Sequence, residues 1–369
     1  MSVGGHRAGG VSRRRPVAAW STACVLLVAG CTGTSAPPAP TPALSAPAPS
    51  SAAPSTTASS GAGAASFTNP VYDTDFPDPM IVRDGDRYVA VATNGNGSNV
   101  QVATSADLVH WEQGEDALPK LPRWSTSGKV WAPEIARQSG SRFLLYYTTI
   151  APDGMRQCIS VAAGRRAEGP YVDSSRRPLV CDDIEEGGSI DPHPFRDEDG
   201  RRYLYWKNDG NAVGADTYLW VQQLDAEGTD VVGKARRLIK QDQPWEGSLI
   251  EAPFVVRSGA TYHLFYSAND YGSWSYAEGH ATGTSPTGPF RKDPEPVLAS
   301  NDVAAGPGGG ALLVDEGRVW MAYHAWDPEG IGSAVPGRQL WLSEVTLDPA
   351  RTVVEPPEVT NADPPDAGK

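Results

Sequence analysis

From residue 67 onward the chain shows almost no helical periodicity. Short runs of β-branched and aromatic residues alternate with Gly and Asp turns, the pattern of strands joined by hairpins. Five runs line up: Tyr88-Val89-Ala90-Val91-Ala92-Thr93, Phe143-Leu144-Leu145-Tyr146-Tyr147-Thr148, Tyr203-Leu204-Tyr205-Trp206, Tyr262-His263-Leu264-Phe265-Tyr266-Ser267 and Val319-Trp320-Met321-Ala322-Tyr323-His324. They begin about 55 to 60 residues apart. Each follows another strand, and turns such as Asp84-Gly85, Asp199-Gly200 and Ser258-Gly259 supply the left-handed residues of tight hairpins. A third strand is expected at 100–105, 159–164, 219–224 and 340–345. Five units of three or four antiparallel strands predict an all-β fold, a five-bladed β-propeller with a central funnel, rather than a sandwich.

The first 66 residues read differently. Arg13, Arg14 and Arg15 precede an apolar stretch at 17–30 that is short for a bilayer span and has the form of a secretory signal. Gly30-Cys31 resembles a bacterial lipobox, in which Cys31 would be lipidated; an ordinary signal peptide with an incidental cysteine is the alternative. Residues 32–66 carry no charge and consist almost wholly of Ala, Pro, Ser, Thr and Gly, a composition that buries too little apolar surface to fold. The expected organisation is a signal at 1–30, a disordered tether at 31–66, the propeller at 67–350 and a Pro/Asp-rich tail at 351–369. Export, with a lipid anchor at the outer face of the cell membrane, follows from this reading.

Charge narrows the partners. The whole chain of 369 residues is at −13; the four arginines of residues 1–30 leave with the signal, so 27 basic residues face 44 acidic ones at −17. That balance excludes a nucleic-acid binder, which needs a basic contact face. With Cys24 removed and Cys31 acylated, Cys158 and Cys181 remain as an even pair in an oxidising compartment; a disulfide is expected, with two unpaired buried thiols as the alternative.

A propeller gathers the entries of its innermost strands around one funnel. Those entries read Asp78-Pro79, Ala132-Pro133-Glu134, Asp191-Pro192, Glu251-Ala252-Pro253 and Gly306-Pro307-Gly308. Three blades thus offer acids, expected at equivalent positions, and mutual repulsion with burial drives their pKa values apart. A proton donor and a base held apart is the requirement of glycosidic hydrolysis; calcium binding is the other chemistry such a cluster supports.

These motifs resemble glycoside hydrolase family 43 over residues 68–348. The resemblance rests on Asp75-Phe76-Pro77-Asp78-Pro79, Val130-Trp131-Ala132-Pro133-Glu134, Ser189-Ile190-Asp191-Pro192 and Glu251-Ala252-Pro253-Phe254. It implies that Asp78 is the general base, Glu251 the general acid and Asp191 the acid that orients Glu251 and tunes it. It also implies inversion of configuration, with Asp78 and Glu251 about 6.5–9.5 Å apart. Arg338 matches a sugar-contacting arginine in some members. Trp131, Trp274, Tyr271, His324 and Glu134 are further candidates for sugar contact, and Glu246 reads as structural. Many relatives have His in a Gly-Pro-Gly-His stretch where this chain has Gly306-Pro307-Gly308-Gly309-Gly310; the change argues against a structural calcium, and no cofactor is required. The expected substrate is an arabinose- or xylose-containing polysaccharide or oligosaccharide, with α-L-arabinofuranosidic linkages ahead of β-xylosidic or endo-arabinanase action, and the protein is expected to be monomeric. A retaining fructan-acting propeller and a non-catalytic carbohydrate-binding protein are the alternatives from other classes.

Overall fold

The computed structural model describes residues 66–183, 186–315, 317–348 and 351–362. The signal, Cys31 and all of the tether before Ser66 lie outside the described residues. Among the described residues no helix is long and apolar enough to cross a membrane.

Strands β1 (Ser66–Thr68) and β21 (Thr360–Ala362) pair with each other, and five sheets stand between them. Blade I is β2 (Met80–Asp84), β3 (Arg87–Ala92), β4 (Gln101–Ser105) and β5 (Trp111–Gln113). Blade II is β6 (Thr126–Ser139), β7 (Arg142–Ile150) and β8 (Gln157–Gly164), its outer edge extended by bridges from Val172 to Ala163 and Val180 to Ile159. Blade III is β9 (Ser189–Arg196), β10 (Arg202–Asn208), β11 (Tyr218–Leu224) and β12 (Val231–Lys240). Blade IV is β13 (Ile250–Ser258), β14 (Thr261–Ala268), β15 (Ala277–Gly283) and β16 (Phe290–Lys292); blade V is β17 (Ala305–Asp315), β18 (Arg318–Trp326), β19 (Gln339–Thr346) and β20 (Val353–Val354). The fold is the five-bladed propeller that the spacing of the hydrophobic runs predicts.

The second strand of each blade is its apolar spine: Tyr88, Tyr146, Tyr147, Tyr205, Trp206, Tyr266, Trp320 and Tyr323 are all buried. Such rings each remove about 150–250 Å² from water, and they fill the wedges between blades. Polar groups join the blades at the hairpin turns. Arg83 and Tyr88 of blade I both reach Asp315 of blade V, at 2.7 and 2.5 Å, and so close the ring. Arg257 and Tyr262 of blade IV repeat the arrangement on Asp197 of blade III, at 3.0 and 2.7 Å.

Two differences from the sequence reading have physical causes. β15 was not anticipated because Ala277-Glu278-Gly279-His280 lacks β-branched residues; the small residues are needed, since a Cβ on Gly279 would lie 2.5 Å from the Tyr266 ring. β20 and β21 fall in the segment read as a tail beyond residue 350, so the folded chain runs on to 362. Asn69 secures this closure, donating to the carbonyls of Leu342 and Glu358 and accepting from the Leu342 amide. The expected disulfide is present: Cys158 and Cys181 are joined beside the Ile159–Val180 bridge, tying down the edge of blade II.

Candidate active site

The innermost strands share one backbone device. Asp78, Ala132, Asp191, Ala252 and Gly309 have φ of 53°, 41°, 54°, 50° and 63°, and the first four each precede proline. A left-handed residue is costly for anything but glycine, so its recurrence in every blade marks a shared position at the funnel. This corrects the expectation of three equivalent acids. Asp78 and Asp191 occupy the shared position, but Glu251 lies one residue earlier, with Ala252 in the equivalent place. In blade V that place is Gly309, not the Gly306-Pro307-Gly308 stretch. The five positions surround a small central cavity of about 20 Å³, lined also by Glu134 and Gly310, with room for one water molecule.

Asp78 is gripped from three sides. The Thr93 hydroxyl donates to Oδ2 at 2.5 Å and itself accepts the Ala132 amide. Arg338 Nη1 donates to Oδ1 at 3.3 Å, and the guanidinium lies 4.6 Å from the centre of the Tyr271 ring. The Asp78 amide donates to His324 Nδ1 at 3.1 Å. That bond makes Nδ1 an acceptor, so the neutral ring carries its hydrogen on Nε2. Burial, with the Arg338 charge nearby, holds His324 well below the ordinary histidine pKa.

Glu251 is held through both oxygens. Lys207 Nζ donates to Oε2 at 2.9 Å and the Tyr276 hydroxyl to Oε1 at 2.8 Å. Asp209 faces the same ammonium at 3.6 Å. Asp191 Oδ2 accepts the Ala252 amide at 2.9 Å and so fixes the backbone beside Glu251. Burial, followed by the negative charges of Glu251 and Asp78, pushes Asp191 up to about 8 against the pull of Lys207. At neutral pH one proton therefore belongs to this cluster.

The other candidates separate by exposure. Tyr271 and Trp274 stand half-exposed at the rim, and Trp131 is partly buried with Lys129 Nζ 5.9 Å from its ring centre. Arg338 bridges rim and funnel. His324 is fully buried beneath Asp78 and supports that residue instead of meeting a sugar. Glu134 is turned to His193 Nδ1 at 2.7 Å, while His193 Nε2 donates to the Val255 carbonyl, so this acid is committed inside the ring. Glu246 is a structural acid, fully buried and bonded to the Asp242 and Gln243 amides, the Tyr266 hydroxyl and Lys292.

Sequence reasoning missed Thr93, Lys207 and Tyr276. Lys207 had a readable signal: it directly follows Tyr203-Leu204-Tyr205-Trp206, a lone cation at the end of a core strand. Among the described residues no group of three or more His, Cys, Asp and Glu side chains is gathered to hold a metal ion, and Gly309 contributes no donor side chain.

A five-bladed ring with three carboxylates converging on its axial funnel defines a carbohydrate-active propeller. The chain belongs to glycosyl hydrolases family 43, whose family model matches residues 67–352. It is 26% identical to the beta-D-galactofuranosidase xynD of Aspergillus niger over 69% of this chain and 75% of that protein. It is 25% identical to the extracellular exo-alpha-(1->5)-L-arabinofuranosidase ArbA of Cellvibrio japonicus, over 71% and 79%. An extracellular endo-alpha-(1->5)-L-arabinanase of Thermotoga petrophila is 28% identical over 59% of this chain and 50% of its own length. Among solved structures, a thermostable family-43 glycoside hydrolase superposes with a TM-score of 0.73 at 26% identity, covering 81% of this chain and 99% of that one. The protein is a family-43 glycosidase.

Proposed function

We propose that the protein inverts configuration while hydrolysing α-L-arabinofuranosidic bonds in arabinan- or arabinoxylan-type substrates. The observation that carries the mechanism is the difference in company between the two held carboxylates. Asp78 sits among Arg338 and Thr93, whose donors engage both oxygens and leave it only lone pairs to offer a water molecule. Glu251 stands beside Asp191, whose raised pKa keeps one proton in the carboxyl pair at neutral pH, and Glu251 is the member that passes that proton on. Asp78 takes a proton from a water molecule as the water oxygen attacks the anomeric carbon. Glu251 protonates the departing glycosidic oxygen on the other side, and the C–O bond breaks with its electron pair on that oxygen. Asp191 aligns Glu251 through the Ala252 amide. Tyr271, Trp274 and Trp131 offer ring faces to the sugar chain.

Furanoside preference is supported by the names of two relatives, a galactofuranosidase and an arabinofuranosidase, and the beta-xylosidase of Bacillus subtilis among the other relatives makes the xyloside arm of the test the competing outcome. Export and lipid attachment at Cys31 complete the reading, and Cys31→Ala is expected to release the protein from the membrane fraction.

The test is a panel of aryl α-L-arabinofuranoside, aryl β-xyloside and debranched arabinan, with product stereochemistry followed by NMR. Cleavage of the arabinofuranoside with inversion is expected. Glu251→Ala is expected to lose about 10²–10⁴-fold on substrates with poor leaving groups and less on activated aryl glycosides. Retention of configuration, or full activity of Glu251→Ala on arabinan, would refute the assignment.

A further inference from the structure

Lys207 is only 1% exposed, on a strand whose neighbouring residues form the core of blade III. Burial disfavours an ammonium, yet Glu251, Asp209 and Asp191 outweigh it and raise Lys207 above its ordinary pKa, so the charge stays. Its contact makes the two oxygens of Glu251 unlike. Oε2 faces a group that can only donate, so a proton placed there would oppose another hydrogen. Oε1 faces the Tyr276 hydroxyl, which can donate to it or turn and accept from it.

We propose that Lys207, steadied by Asp209, is a positioning residue that directs the proton of this cluster away from Glu251 Oε2 and toward Glu251 Oε1 and Asp191. The inference rests on the reading of Glu251 as the acid. Asp191 is the neighbour of Glu251 across the β9–β13 contact. Asp78 with Arg338, Glu278 from β15, Tyr276 and the Asp209–Lys129 side of the site complete the charged and titratable groups around it. Lys207 and Asp209 act on the Asp191–Glu251 pair with opposite sign, which makes the idea separable from mere structural support. Without the ammonium, the carboxyl pair holds its proton more tightly. Without the Asp209 carboxylate, the ammonium acts on the pair undiluted and the proton leaves more readily.

The experiment is an infrared titration of the protonated-carboxyl band in the full, ligand-free protein. The component of interest is the one lost in Asp191→Asn and in Glu251→Gln. In Lys207→Met its midpoint is expected to rise by about one pH unit or more, a tenfold change in the protonation ratio at fixed pH. In Asp209→Asn it is expected to fall. The basic limb of the kcat/KM profile on an aryl arabinofuranoside is expected to move with each midpoint. Shifts of the same sign in both variants, or no shift, would overturn the proposal. Should Lys207→Met fail to fold, Asp209→Asn decides alone: a downward shift supports the proposal and an unmoved midpoint refutes it. The titration needs no turnover, so a wild-type protein that cleaved none of the panel would sink the substrate assignment and still leave this measurement to stand or fall separately.

Discussion

Glu278 offers a direct check on the electrostatics of the ring. It lies fully buried on β15, where Oε2 accepts from the Ser267 hydroxyl at 2.7 Å and the Gly310 amide at 3.4 Å. Its Oε1 is buried with no hydrogen-bond partner among the described residues. Burial outweighs the two donors and pushes the pKa from 4.5 up to about 8. Between those values the folded protein keeps a proton that the unfolded chain has lost. Unfolding then releases a proton, so this group's contribution to stability falls as pH rises. At about 1.36 kcal/mol per pH unit the loss approaches about 5 kcal/mol once pH passes 8. Glu278→Gln keeps the shape and removes the titration. Urea unfolding of the two proteins, disulfide intact, should show the variant gaining on wild type by about 3–4 kcal/mol between pH 5 and pH 8. Asp191 titrates in the same window but is present in both proteins and cancels in the difference. The new amide adds an offset that does not depend on pH. A difference that stays constant from pH 5 to 8 would refute the reasoning.

Two further substitutions probe the backbone of the site and the closure of the ring. A Cβ at Gly309 would lie 2.8 Å from His324 Nδ1 and 3.2 Å from Asp78 Oδ1, at a φ of +63°; Gly309→Ala is expected to lower kcat at least about tenfold by displacing Asp78, and steady-state kinetics showing wild-type kcat would contradict that placement. Asn69→Ala leaves the Leu342 amide and carbonyl without their side-chain partner inside the fold; a loss of about 2–3 kcal/mol is expected by denaturant unfolding, and a change below about 0.5 kcal/mol would deny Asn69 a role in closure.

The blades were legible in the sequence because hairpins are local: a turn residue and two alternating runs define each one without reference to the rest of the chain. The acids were legible because they sit beside prolines that punctuate those runs. What escaped depends on distant partners. β15 is a strand through its pairing with β14, and Tyr266 and Trp245 leave no room for a larger residue at Gly279. β20 and β21 are short and proline-flanked, and become strands by pairing with β19 and with β1. Lys207 and Tyr276 gain their importance from Glu251, 44 and 25 residues away in sequence. Local patterning likewise could not show that Glu251 enters the funnel from one residue before the repeated left-handed position, or that Gly309 is the fifth blade's counterpart.

That repeated backbone position has an evolutionary implication. Because the five strands carry the same kink, the residue at each kink can be exchanged while the ring that presents it is kept. Here two of the five hold carboxylates, two hold a methyl group and one holds only hydrogen. Ala132 and Ala252 already tolerate a Cβ in the strained conformation, so the backbone at these two points does not itself demand glycine. The propeller thus behaves as a mount with interchangeable fittings, in which chemistry and sugar preference can diverge by single replacements around an unchanged ring.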